Sequence, residues 1–189
     1  MGWIILIIVG IIVLIVIVAA LWAVGAYNRL VNLRERVRAG WSQIEVLLKR
    51  RHDLIPNLVE TVRGYAGHES QTLESVIAAR NSAVSARGVE SQARAEGALT
   101  QALGRLFAVS EAYPDLKANQ NFMQLQNELS DTENGIAAER QAYNNTVRTY
   151  NTSILSFPTN LLASPFGFTS QPFFETTTTE EREAPKVQF

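Results

Sequence analysis

The sequence predicts an all-α protein: an N-terminal transmembrane helix, then a long antiparallel helical bundle, then a disordered polar tail. Three observations carry that prediction. Residues 1–28 hold no charged side chain, and Trp3 to Val24 is almost pure Ile, Leu and Val. Apolar residues then recur at spacings of three and four, and later at intervals of seven, the periods of helices that bury one face. No stretch alternates apolar with polar residues as a half-buried strand would.

The first element is the membrane span. At about 1.5 Å per residue, its 22 residues cover about 33 Å, enough for a hydrocarbon core of about 30 Å. Trp3 and Trp22 stand near its two ends, where indoles favour the bilayer interface. A cleaved signal peptide is the competing reading, with Val18-Ala19-Ala20 as its small-residue site. That reading needs a basic leader and an apolar core of about 7–15 residues, whereas only Met1 and Gly2 precede a longer run. Arg29, Arg34, Arg36 and Arg38 follow the span with only Glu35 among them. The positive-inside rule therefore predicts a cell-membrane protein with its N-terminus outside and its bundle in the cytoplasm.

Composition narrows the rest. The chain has 189 residues and no Cys, which removes disulfides, thiolate metal sites, Cys nucleophiles and a Cys-linked lipid anchor together. The net charge of −1 is unevenly spread: residues 29–53 carry seven basic and three acidic side chains. That basic segment lies beside the membrane, where anionic headgroups attract it. No nucleic-acid-reading motif accompanies it, so nucleic acid is not an expected partner.

From Tyr27 the pattern becomes amphipathic, with Leu30, Leu33, Val37, Trp41, Ile44 and Leu48, then Ile55, Leu58 and Val62, on one stripe. One long helix to about Ala66, bent at Pro56, is expected; two helices meeting at Pro56 are the alternative. Gly64 and Gly67 mark its end. A second helix is expected from about Ser70 to Ala86, closed by Gly88. A third is expected from about Ser91, a plausible N-cap, to Tyr113, closed by Pro114. In the fourth, Phe122, Leu129, Ile136, Tyr143, Tyr150 and Phe157 recur every seven residues until Pro158. Leu125, Thr132, Glu139, Val147 and Ile154 fill a second seam. The expected division is an anchor over 1–26, a bundle over 27–157 and a tail over 158–189. In the tail, Thr176 to Glu183 is low-complexity and expected to be disordered. Leu161 to Phe174 is dense in Leu and Phe, and either packs on the bundle or lies in the headgroup interface.

This pattern resembles the LemA family of bacterial membrane proteins. The residues that carry the likeness are Tyr27-Asn28-Arg29-Leu30-Val31, Trp41-Ser42-Gln43-Ile44, and Arg50-Arg51-His52-Asp53-Leu54-Ile55-Pro56-Asn57-Leu58-Val59. Gly64-Tyr65-Ala66, His68-Glu69, Ala79-Arg80, Phe157-Pro158, Phe166-Gly167-Phe168 and Pro185-Lys186-Val187-Gln188-Phe189 extend it over essentially the whole chain. The resemblance implies one N-terminal transmembrane helix and a long antiparallel bundle, and it does not imply an enzyme. It links the family to membrane organisation, including magnetosome membranes in some relatives.

The residues offer no catalytic, cofactor or metal constellation. His68-Glu69 begins a zincin-like motif, but position 72 is Thr, so the second imidazole is missing. Neither His52 nor His68 has Glu three residues before it, as a di-iron bundle requires. The densest charge run is Lys49-Arg50-Arg51-His52-Asp53. Its bland reading is a solvated helix face; its sharper reading is a polar contact in which Arg51 and Asp53 meet acidic or amide side chains of the fourth helix, which offers Asn127, Glu128, Asp131, Glu133 and Asn134.

The expected function is a non-enzymatic, membrane-anchored scaffold or assembly protein. An accessory module for another membrane protein, such as a protease or secretion component, is the alternative. The bilayer is the first expected partner and a second copy of the chain the next. Near the membrane, Leu30, Val37 and Ile44 face Tyr143, Tyr150 and Ile154, a seam that two helices alone leave partly open. Self-association would cover it; coverage by the tail within one protomer is the competing arrangement.

Overall fold

The computed structural model describes residues 2–175, whose regular structure is α-helical, with no strand among them. α1 spans Gly2–Arg63, α2 Ser70–Ser85, α3 Val89–Ser110, α4 Pro114–Lys117, α5 Gln120–Leu155 and α6 Asn160–Ala163. The tail segment 176–183, expected to be disordered, lies outside the described residues.

α1 passes through Pro56 as one helix. Proline has no N–H for the carbonyl four residues earlier, so the His52 carbonyl needs another donor. Arg80 of α2 supplies it, Nε donating to the His52 oxygen at 3.1 Å.

Three helix ends differ from expectation. α3 is preceded by Gly88, not Ser91, because Gly88 adopts φ +79°, and this left-handed turn lets Val89 and Glu90 join the helix. Pro114 opens α4 as well as following α3, its fixed φ suiting a first turn. α5 starts under an Asn119 cap, whose Oδ1 accepts from the Phe122 amide at 3.1 Å, and it stops at Leu155.

Contacts divide the described residues into two compact units. One comprises residues 2–40 and 144–171. In it every residue from Gly2 to Trp22 is exposed, whereas Leu30, Val37, Val147, Tyr150, Ile154 and Phe168 are buried. The tail is stapled to α5 by Asn151, which donates to the Gln171 carbonyl and accepts from the Gln171 amide, both at 2.9 Å.

The other unit comprises residues 41–143 and 172–175. Here α1 and α5 run antiparallel: Trp41 stacks near Tyr143, Leu47 meets Gly135, and Arg51 reaches Glu133. Its core gathers Ile55, Leu58, Val59 and Val62 with Leu73, Val76, Leu99, Leu103, Leu106, Leu116, Phe122 and Leu129. α2 and α3 pack as a hairpin against each other.

Candidate functional site

The second unit contains a charged layer inside its apolar core. On α1, Arg51 and His52 sit between Leu48 and Ile55, at the i, i+3, i+4, i+7 positions of the buried stripe. On α3, Glu96 sits three residues before Leu99, again on the inward face. All three side chains are more than nine-tenths buried.

Their polar atoms satisfy one another. Arg51 Nη1 donates to Glu96 Oε2 at 3.0 Å, and His52 Nε2 donates to Glu96 Oε1 at 2.7 Å. Gln92 Nε2 donates to the same Oε1 at 2.8 Å and to the Ala83 carbonyl at 3.0 Å. Arg51 Nη2 donates to Thr100 Oγ1 at 2.8 Å and lies 3.2 Å from Glu133 Oε2. The guanidinium therefore faces two carboxylates, and Glu96 accepts three hydrogen bonds from two helices. Such a layer is tolerated in a core only when every member has partners.

Open clefts flank the layer. One, of about 450 Å³, exposes an edge of His52 between Trp41, Lys49, Arg80, Arg87 and Gln92. Another, of about 260 Å³, lies beside Arg51 and Glu96 and is bordered by Gly97, Ile136 and Phe174. Trp41 donates from Nε1 to Glu45 at 2.7 Å and packs against Tyr143 and Phe174 at 5.9 and 5.6 Å between ring centroids. Burial pushes the Tyr143 phenol up to about 12, and its hydroxyl donates to the Pro172 carbonyl at 3.0 Å. Among the described residues no cluster of three His, Cys, Asp or Glu side chains is placed to hold a metal ion.

The singled-out residues separate clearly. Arg51 meets Glu133 of α5, as the sharper sequence reading expects, and also Glu96 of α3, which that reading does not include. Asp53 does not reach α5. It projects to solvent and pairs with Lys49 one turn back, whose hydrogen bond holds its carboxyl below the usual range. Leu30, Val37, Ile44, Tyr143, Tyr150 and Ile154 are all covered within a single chain. Of these, Tyr143 bonds the tail at Pro172; beside them Tyr27 packs edge-on to Phe166 and Phe168, and the Arg34 guanidinium lies 5.1 Å over the Phe168 ring. Trp3 and Trp22 stay exposed on the apolar helix.

The LemA family model matches residues 40–189, a segment that holds the whole charged layer and the tail. The chain belongs to the LemA family. Its curated relatives include the magnetosome protein MamQ of Magnetospirillum gryphiswaldense, 26% identical over 65% of this chain and 55% of the relative. They also include the LemA protein of Metamycoplasma hominis, 29% identical over 64% of this chain and 56% of the relative. The chain spans about half the length of the curated relatives it matches. The family segment begins within α1, after the apolar stretch that is long enough to cross a membrane.

Proposed function

We propose that this LemA-family protein is a membrane-anchored, non-enzymatic scaffold, held in the cell membrane by α1 with its helical units in the cytoplasm. One observation carries the reading: all side chains from Gly2 to Trp22 are exposed, though nearly all are large and apolar. Water would not tolerate such a surface, and a bilayer would solvate it. The four Arg residues after the span support the orientation. The charged layer supports a structural role, because its polar atoms are spent on one another. The likeness to magnetosome proteins supports work on membrane organisation.

A single cysteine at the exposed Asn145 position of this Cys-free chain tests the anchor and its direction. The labelled protein should resist carbonate extraction, and an impermeant maleimide should reach it only after cells are permeabilised. Release by carbonate would remove the anchor, and labelling in intact cells would reverse the orientation. Mass determination in mild detergent, with a pulldown from native membranes, then separates self-assembly from a module that serves one foreign partner.

A further inference from the structure

The unit of residues 2–40 and 144–171 carries a second apolar surface besides the N-terminal stretch. Leu155, Phe157, Leu161 and Phe166 are 72%, 79%, 62% and 56% exposed, although Ala163 and Phe168 in the same stretch are buried. Elsewhere among the described residues after the apolar span, exposed large apolar side chains such as Val46, Val84 and Met123 stand far apart along the chain. Here four fall within twelve residues.

We propose that this segment is a second membrane contact, bedded in the headgroup interface of the leaflet from which α1 emerges. The inference rests on the anchoring of α1 proposed above. Its position argues for the bilayer as occupant. Tyr27 touches Phe166 and Phe168, with ring centroids 5.2 and 5.6 Å apart. Tyr27 lies five residues past Trp22, or about 7 Å along the helix, which is about the depth of one headgroup layer.

The chemistry of the segment fits the same place. No charged residue occurs from Thr149 to Phe174, so entry into the interface desolvates no ion. Much of the backbone is already paired: the amides of Leu161, Leu162, Ala163, Phe166, Gly167 and Phe168 all donate within the segment. A short helical turn with the bends around it, bonded largely within itself, can enter an apolar boundary that an open loop could not. Phe and Leu are the side chains that amphipathic interfacial segments bury at that depth.

Fluorophores on single cysteines test this in the full-length protein, reconstituted into phosphatidylcholine vesicles containing phosphatidylglycerol. The labels replace Leu161 or Phe166, with Val13 and Asn145 as references; all four positions are exposed. Lipids spin-labelled near the headgroup should quench the Leu161 and Phe166 labels about threefold more than the Asn145 label. Lipids labelled deep in the chain should quench Val13. Deep quenching at Val13 with Leu161 and Phe166 no more quenched than Asn145 overturns the second contact and leaves the anchor standing. No quenching at Val13 removes the anchor, and the inference with it. A blue-shifted but unquenched Leu161 label means that protein, a second copy or another chain, covers the segment, and this also overturns the inference.

Discussion

Arg80 stands in for the backbone N–H that Pro56 lacks. Its Nε donates at 3.1 Å to the His52 carbonyl, the acceptor that residue 56 would satisfy in an unbroken helix. The pair explains how α1 continues through a proline in its interior. It also makes a sharp prediction. Arg80→Ala should lower stability by about 1–3 kcal/mol, the cost of leaving a part-buried carbonyl without a donor. In a Pro56→Ala background the new amide can make the bond, so the same Arg80→Ala change should cost less than about 0.5 kcal/mol. Denaturant unfolding of the four variants gives the coupling. Equal Arg80→Ala losses in both backgrounds would sink the explanation.

The two residues picked out of the Lys49–Asp53 run should behave oppositely. Glu96→Ala or Arg51→Ala leaves an uncompensated charge in the core and should cost about 3–5 kcal/mol. Asp53→Ala breaks an exposed pair with Lys49 and should leave the unfolding midpoint essentially unchanged. Comparable losses from all three would mean that the layer does not carry the energetic weight its burial implies.

Helix α3 holds two glycines with free space around them. A Cβ added at Gly97 or Gly104 would meet no atom of the described residues within 4 Å, so Ala at either should raise stability by about 0.5–1 kcal/mol. Gly88 also has open space, but its φ of +79° disfavours any Cβ, and Gly88→Ala should lose about 1 kcal/mol. Melting temperatures of the three variants decide the point, and a stabilising Gly88→Ala would contradict the assigned turn.

Two buried tyrosines give a pH prediction and a contrast. Burial raises the Tyr143 phenol from 10.0 to about 12, so folding favours its neutral form. This contribution is complete below pH 10 and is lost as pH climbs through 12, amounting to about 2–3 kcal/mol. Tyr143→Phe should therefore show a shallower alkaline fall in stability than the parent. At neutral pH it should lose about 1 kcal/mol with its bond to Pro172. Tyr150→Phe should instead gain about 1 kcal/mol, because the Tyr150 hydroxyl is buried with no hydrogen-bond partner among the described residues.

Much of the fold was legible because periodicity reports burial directly. Phe122, Leu129, Ile136, Tyr143 and Tyr150, read as one seam, are all buried. The seam fails only at Phe157, which is exposed, since α5 has already ended at Leu155 and a helical period says nothing past the last turn. The charged layer was half legible. Arg51 belongs to a conspicuous charge run, whereas Glu96 is one of two acids on an otherwise ordinary helix. The signal was its spacing: Glu96, Leu99, Leu103 and Leu106 share one stripe, so a carboxylate stood where a core residue belonged. Gly88 misled because composition marks a turn without giving its φ. The tail was ambiguous for a real reason: Phe168 and Phe174 pack inward while Leu161 and Phe166 face out, and both kinds of residue look alike in one dimension.

The charged layer also bears on alignment. Leu99, Leu103 and Leu106 repeat along α3 as Ile55, Leu58 and Val62 do along α1, so apolar matching alone would accept a slip of one turn almost as well as the native arrangement. Glu96 has no such equivalents. Shifted by a turn, it would lose Arg51 and His52 at once and strand three ionisable groups among leucines. Replacing Arg51, His52 and Glu96 together by Met or Leu should keep the helices and loosen their mutual setting, visible as broadened side-chain NMR lines. The three residues thus act as the notch on a sliding scale, permitting one position where oil alone would permit several.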